Sequence, residues 1–286
     1  MPSPSIVWFR DDLRLADHPA LRAALDRGEP VIGLYVLDEE SDGIRPLGGA
    51  ARWWLHHSLA SLADRLADRG SRLILRRGPA HRVVRELASD TEAGAVFWNR
   101  RYGGPEREID AALKSDLRAG DVEVASFAAS LLFEPWTIAT GAGKHFSVYS
   151  PFWRACLAQP APRAPLPEPR EIPGPSHYPA SDDLGDWGLL PTEPDWAQGL
   201  RDTWEPGEPA AQHRLREFLE EDLAHYDDAR NRPSAGATSL LSPRLRWGEL
   251  SPHTVWHAAV ETPGASGFLS EIGWREFAWH TLYHFP

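Results

Sequence analysis

Cysteine is nearly absent: the 286 residues contain one, Cys156, and a single methionine. One thiol makes no internal disulfide, so the fold must hold by packing, as suits a reducing compartment. No apolar run approaches the ~20 residues needed to cross a bilayer. The opening MPSPSIVWFRDDLRL meets an Arg/Asp cluster at Arg10 to Asp12. It has no basic region leading into an apolar stretch, which predicts no secretory leader and a cytoplasmic location. Cations are in deficit, with 30 Lys and Arg against 41 Asp and Glu and a formal net charge of −11. Nonspecific nucleic-acid affinity comes from cations that neutralise phosphates, so any DNA contact must be a local basic patch rather than a field-wide effect. Also missing is a G-x-G-x-x-G after any expected strand, the usual dinucleotide signature.

Tryptophan, by contrast, is plentiful, with 13 residues. Large aromatic area serves either core packing or stacking on flat ligands. At this length, with 42% hydrophobic residues, the chain can bury one sizeable core and part of a second.

The first 130 or so residues alternate β-rich apolar runs with helical patterns, the sequence form of a βαβ series and a doubly wound parallel five-stranded sheet. Strands are predicted at Ser5 to Phe9, Val31 to Val36, Arg72 to Leu75, Ala95 to Trp98 and Val122 to Phe127. The clearest helix runs from Ala51 to Arg69, where Leu55, Leu59, Leu62 and Leu66 form a core stripe and Gly70 supplies the stop. Weaker helices run from Pro19 to Arg27 and from Pro105 to Ala119, each with proline near its first turn. Such a sheet offers a ligand crevice beyond its strand C-termini even without the glycine signature.

From Pro160 to Pro175 seven of sixteen residues are proline, and no sustained period follows until about Glu208, which reads as a long ordered or semi-rigid connector. The pattern then turns helical over Gln212 to Arg230, in short helices opened at Ser242-Pro243 and Ser251-Pro252, and over Ser266 to Phe285. Each Ser-Pro pair suits a serine cap and a proline in the first turn. The expected organisation is an α/β domain over 1–131, a connector over 132–208 and an all-α portion over 209–286.

Two segments carry chemistry. In G-A-T-S-L-L-S, Gly236 to Ser242, the hydroxyls of Thr238, Ser239 and Ser242 precede an expected helix start; they cap that helix or, with its amides, cradle a diphosphate. On the last helix Glu271, Trp274, Arg275 and Ala278 share a face. Glu271 and Arg275 read as a surface pair worth roughly 0.3 to 0.5 kcal/mol, or else acid and indole read a base by hydrogen bonding and stacking. His280 and His284 are four apart on a helix, but residue 281 is Thr rather than Glu and no third ligand is signalled, so no metal is expected. His56 and His57 beside Trp53 and Trp54 need no ligand either.

In order and spacing, several segments together resemble DNA photolyases and cryptochromes, most closely class I photolyases that split cyclobutane pyrimidine dimers. They are I-V-W-F-R-D-D-L-R-L-A-D-H-P-A-L (Ile6 to Leu21), L-Y-V-L-D (Leu34 to Asp38), W-N-R-R-Y (Trp98 to Tyr102) and V-Y-S-P-F-W (Val148 to Trp153). The last two are A-T-S-L-L-S-P-R-L-R-W-G-E-L-S-P (Ala237 to Pro252) and E-I-G-W-R-E-F-A-W-H-T-L-Y-H-F-P (Glu271 to Pro286). The resemblance implies the first part of a helical FAD-binding domain after the α/β layer. It also implies that Tyr226, Thr238, Ser239, Leu240, Leu241 and Ser242 hold the phosphate and ribose part of FAD, with Arg275 beside the flavin. Glu271 and Trp274 would face a lesion in damaged DNA, and Arg230 would contact DNA phosphate. Glu106 matches an antenna-binding glutamate but its neighbour is Pro105, so the antenna stays open between methenyltetrahydrofolate, 8-hydroxydeazaflavin and none.

The family's helical domain continues past Y-H-F-P, and its later part carries the photoreduction tryptophans, so no catalytic residue is identified in this chain. That implies a truncated product or a fragment that needs the other half as a separate chain, and leaves turnover open. The implied activity is light-driven dimer repair by electron transfer from reduced FAD. The alternatives are a cryptochrome-type photoreceptor and a flavin-free nucleotide-binding or interaction module.

Overall fold

In the computed structural model, which describes residues 3–286, five parallel strands form one sheet in the order β3-β2-β1-β4-β5. They are β1 (Ser5–Phe9), β2 (Val31–Leu37), β3 (Leu73–Arg77), β4 (Ala95–Asn99) and β5 (Glu123–Phe127). β1 pairs with both β2 and β4, Ser5 meeting Val31 on one side and Ala95 on the other. The chain therefore reverses direction across the sheet at β1/β4, and a crevice opens beyond those strand ends.

Side-chain alternation divides the sheet between two cores. Val7, Phe9, Val31, Leu73, Leu75 and Phe97 face α1 (Pro19–Asp26) and α2 (Gly49–Ala67). Ile6, Trp8, Ile32, Leu34, Val96 and Trp98 face α3 (Ala80–Asp90) and α4 (Gly104–Ala119). Strands covered on both faces read as continuous apolar runs, which is why they were legible. Leu55, Leu59, Leu62 and Leu66 are all buried in the first core.

The proline-rich stretch is ordered because backbone bonds pin it. Ile172 and Gly174 donate to the Arg69 and Gly70 carbonyls at 2.8 and 3.0 Å, and Val31 donates to Pro173 at 2.7 Å. Ile172, Trp187, Leu189 and Ala197 are buried in the α2-side core. Before it, α5 (Tyr149–Leu157) puts Phe152 and Cys156 against Phe277. After it come α6 (Gln198–Thr203) and α7 (Glu208–Glu217).

The expected helix from Gln212 to Arg230 is broken. Beyond α7 the chain widens into a π turn over Phe218–Asp222, tightens into a 3-10 turn over Leu223–His225 and ends in α8 (Tyr226–Ala229). Leu215, Phe218, Leu223 and Tyr226 are all buried. Their spacing of three, five and three does not fit a regular period, and the wide turn returns Leu223 to the core side. The remaining helices are α9 (Ser242–Arg246), α10 (Pro252–Ala259) and α11 (Ser266–His284). Ser251 caps α10, its Oγ accepting from the Thr254 amide at 3.0 Å. Ser242 does not cap α9, because it is already the first helical residue.

Buried carboxylates stitch the two layers together. Asp17 accepts from Arg163 at 2.5 Å, from the Leu166 amide at 2.9 Å and from Ser251 Oγ. Glu208 accepts from the Leu15 and Ala16 amides at 2.7 and 3.0 Å. Each buried charge is thereby supplied with the donors that make its burial tolerable.

Two buried histidines work the other way. His280 Nε2 accepts from the Phe146 amide at 3.1 Å, and His253 Nε2 donates to the Leu131 carbonyl at 3.1 Å. Burial pushes both down to about 4. The folded chain resists protonation that the unfolded chain accepts, so stability is whole above about pH 6.5 and is lost as pH falls toward 4. For His280 that loss approaches about 3 kcal/mol at the acid limit. Gln in place of His280 keeps an acceptor without the titration, and acid-unfolding curves should shift to lower pH; an unmoved midpoint would count against this role.

A candidate nucleotide hollow and an adjoining crevice

Tyr226, Ser239, Leu241, Ser242, Glu271 and Arg275 line one hollow of about 370 Å³ between α8, the loop before α9, α9 and the first half of α11. Its loop wall is shaped by Leu240, whose φ of +55° is left-handed, a region uncommon for a bulky residue. The turn leaves Leu240 43% exposed, while Ser239 and Leu241 on either side reach the hollow. Arg214 braces this loop from behind, donating to the Thr238 and Ser239 carbonyls, each at 3.1 Å, while pairing with Asp222 at 2.9 Å. With the carbonyls occupied, the hydroxyl protons remain for a ligand, although Ser239 Oγ accepts a long bond from the Leu241 amide at 3.4 Å. Among the described residues, Thr238 and Ser242 make no side-chain hydrogen bond. α9 has only five residues, so the cradle rests on hydroxyls and loop amides rather than on a helix dipole, which needs aligned turns.

The expected Glu271–Arg275 pair does not form. Glu271 Oε1 takes Arg230 Nη1 at 2.6 Å, and Arg275 Nη1 reaches Glu276 Oε1 at 3.2 Å. Arg275 thus turns inward, where burial lowers its pKa against the pull of Glu276. Glu276 also accepts the Leu132 and Phe133 amides at 2.8 and 3.2 Å. Burial nevertheless pushes its carboxyl up to about 7. Between about pH 4.5 and 7 the folded chain holds a proton that the unfolded chain has released, so this group makes stability fall as pH rises through that window. The fall totals up to about 3 kcal/mol. Gln at 276 should remove it, leaving the opposite histidine slope, as urea denaturation at pH 5, 6 and 8 will show; an unchanged profile would refute the assignment.

Thr238, Leu240 and Trp274 lie outside the lining of the hollow. The indole of Trp274 stacks on Tyr149 with centroids 3.8 Å apart and planes at 12°, and it is still 47% exposed. Tyr149 is anchored through its hydroxyl to the Ser270 carbonyl at 2.7 Å. Acid and indole therefore stand one helical turn apart, Glu271 in the hollow and Trp274 on an aromatic shelf beside it. Arg230 holds Glu271, with its guanidinium 5.5 Å from the Tyr226 ring centre.

Sequence reasoning missed Asp11, Leu245, Arg246, Phe268, Ile272 and Trp279, which complete the lining. Phe268, Ile272, Arg275 and Trp279 follow a four, three, four spacing, so the inner face of α11 was legible. Asp11 was not, because it comes from the loop after β1; it pairs with Arg246 at 2.7 Å across the layers.

Asp11, Arg246 and Trp279 also line the second cavity, about 440 Å³, in the crevice beyond β1, β2 and β4. Arg10, Arg45, Arg101 and Glu106 line it as well. Glu106 sits in the first turn of α4. At the far end of α11, His145 stacks on His284 at 5.1 Å and His280 lies 4.6 Å from His284. Among the described residues no group of three or more potential ligands could hold a metal ion, and no helix is long and apolar enough to cross a membrane.

A family model described as DNA photolyase matches residues 5–170. A deoxyribodipyrimidine photo-lyase of Agrobacterium fabrum (strain C58 / ATCC 33970) is 47% identical over 290 residues, covering 99% of this chain and 60% of the relative. Cryptochrome-1 of Arabidopsis thaliana is 34% identical over 303 residues, covering 99% of this chain and 43% of the relative. A crystal structure of a bacterial class III photolyase from Agrobacterium tumefaciens superposes with a TM-score of 0.95 at 46% identity, covering 100% of this chain and 60% of that one. The resemblance in sequence pointed to class I, whereas this similar structure is of class III. The chain spans about 60% of the length of these photolyase relatives. Its matched segments, its sheet order and this superposition agree: the chain belongs to the DNA photolyase family.

Proposed function

We propose that this chain is the nucleotide-gripping and lesion-facing part of a flavin-dependent enzyme that uses light to split cyclobutane pyrimidine dimers in DNA. The observation that carries it is the convergence of Tyr226, Ser239, Ser242, Arg275 and Glu271 on one hollow, with the exposed Trp274 shelf one helical turn away. FAD fits this donor set, since hydroxyls still free to donate and a half-buried guanidinium suit a diphosphate and an electron-rich ring. When bound, the flavin would supply the electron for ring splitting. The protein's own work is binding and orientation. Ser239 and Ser242 donate to the phosphates, and Arg275, held by Glu276, keeps a positive charge beside the ring. Glu271 accepts hydrogen bonds from a flipped base, and Trp274 stacks on it with its free face.

Arg230 has a double assignment. It pairs with Glu271 at 2.6 Å, and a DNA phosphate competing for its guanidinium would free the carboxylate for the base. The crevice beside β1 and β4 is the proposed antenna site, with Glu106 and its arginines as contacts, for a folate or a deazaflavin. The proposed units are residues 1–131, 132–208 and 209–286.

The test is repair of ultraviolet-irradiated oligothymidine under blue light by flavin-loaded protein. Ala at 274 should weaken lesion binding about tenfold, the effect of losing one stacking partner. Gln at 271 should lower repair more than it lowers affinity for undamaged DNA. Light-driven flavin reduction with dimers left intact would overturn repair in favour of a cryptochrome-type photoreceptor. A folded chain that retains no FAD would point to a flavin-free module.

A further inference from the structure

We infer that a third hollow, on the β4/β5 side of the α/β layer, is a binding site for a phosphate monoester carrying a flat ring. The hollow is about 200 Å³ and is bounded by Arg101, Arg107, Lys114, Trp136 and Tyr283, with Arg100 and Asp110 at its base. Its charges do not balance. Asp110 is spoken for, taking Arg10 at 2.6 Å and Trp98 Nε1 at 2.8 Å. Glu134 takes Arg100 at 3.0 Å and the Tyr102 hydroxyl at 2.9 Å.

Among the described residues, Arg101, Arg107 and Lys114 have no carboxylate partner. Arg107 donates to the Tyr283 carbonyl at 3.1 Å and lies 3.9 Å from that ring's centre. Lys114 donates to Ser126 Oγ at 2.6 Å. Arg101 Nε is buried with no acceptor. Burial depresses Arg101 and Lys114, and neighbouring cations add to this, Arg10 at Arg101 and Arg100 at Lys114. A dianion entering between them relieves both effects and gains charge-assisted hydrogen bonds from several directions, which favours a phosphate over a planar carboxylate.

The ring is assigned by the rim. Trp136 lies 5.5 Å from Tyr283 with planes at 49° and has the Arg100 guanidinium 5.8 Å from its ring centre, yet it is 49% exposed, so that about half of the indole presents an open face beside the cations. The volume suffices for the phosphoryl group and its ester oxygen, and the flat body would lie on that face. None of this depends on the flavin hollow, with which this site shares no lining residue; Arg101 also lines the crevice proposed for the antenna, so Arg107 and Lys114 are the cations particular to this site.

Isothermal titration of the chain with inorganic phosphate, AMP and adenosine tests the assignment. AMP should bind more tightly than phosphate, adenosine should give no binding, and added salt should weaken both anions. The double variant Arg107→Gln/Lys114→Gln should lose at least about tenfold in AMP affinity, the equivalent of one charged hydrogen bond. Lys114→Arg should retain it. The double variant Ser239→Ala/Ser242→Ala, which strips the hydroxyls assigned to the FAD phosphates and lies outside this site, should leave AMP affinity unchanged, so that a failure there is separable from a failure here. Trp136→Ala should abolish the advantage of AMP over phosphate while phosphate still binds. Equal binding of adenosine and AMP, no binding of either anion, or AMP affinity unaffected in the double variant would overturn the site; an intact AMP advantage in Trp136→Ala would overturn the ring assignment.

Discussion

Ala at position 249 should cost the fold about 3 to 5 kcal/mol, the loss expected when one partner of a buried charge network is removed. Glu249 has no exposed surface, and both its oxygens are in use. Oε1 accepts from Trp54 Nε1 at 2.9 Å, Ser58 Oγ at 2.5 Å and the Gly207 amide at 2.6 Å, and Oε2 takes Arg244 at 3.3 Å. These donors come from α2, from the end of the connector and from α9, so a single carboxylate ties three parts of the chain. Burial raises its pKa while its donors oppose the rise. Truncation would leave Arg244 buried without its counter-charge and orphan three neutral donors, each costly in its own right. Gln at 249 keeps an acceptor and should lose clearly less than Ala. Urea denaturation of the three proteins decides the matter: an Ala variant within about 1 kcal/mol of wild type would show that the network is dispensable, since exposed pairs reach only that value.

That network also shows where sequence reading stops. The strands were legible because burial on both faces writes them as apolar runs, and the Leu55 to Leu66 stripe because it keeps a helical period. α3, expected only as a helix between the third and fourth strands, could be given no bounds despite Val83, Val84 and Leu87 facing the core, since its charged outer face offers no capping side chain or first-turn proline as a start signal. The stretch from Gln212 to Arg230 looked like one helix because its acids suit a helical surface; the π turn is imposed by where Phe218, Leu223 and Tyr226 must point. Thr238, Ser239 and Ser242 were expected to open on one hollow with Glu271 and Trp274; Ser239, Ser242, Glu271 and Arg275 share it, while Thr238 and Trp274 stand outside its lining. Their pairing was not foreseen, because an i,i+4 rule joins Glu271 to Arg275, whereas Arg230 and Glu276 compete for them with contacts that only tertiary packing supplies. Asp11, Arg246 and Glu249 act across more than 190 residues of sequence, and local spacing carries no trace of such partners.

The same junction gives the second large effect. Gly248 has a φ of +64°, where a Cβ alone costs about 1 to 2 kcal/mol. Space is the larger obstacle: a Cβ there would collide with the Asp11 carbonyl and lie 2.5 Å from Asp12 Cα. Both are backbone atoms, which cannot rotate away as a side chain can. They are also fixed in place, because Leu13 donates to the Trp247 carbonyl at 3.0 Å and Arg14 to the Gly248 carbonyl at 2.9 Å. Relief would require the loop after β1 to part from the α9–α10 turn, and overpacking against a braced backbone costs about 1 to 3 kcal/mol more. Ala at 248 should therefore lose about 3 kcal/mol or more in total. Gly28 is the control, since its φ is +72° and a Cβ there meets nothing within 4 Å; Ala at 28 should show the conformational cost alone. Because Asp11 and Arg246 form a wall common to the nucleotide hollow and the crevice, Ala at 248 should weaken ligand retention in both cavities together, while Ala at 28 leaves both intact. Equal losses of stability in the two variants would mean that the close approach of these two loops is not what holds the layers, or the cavities between them, in register.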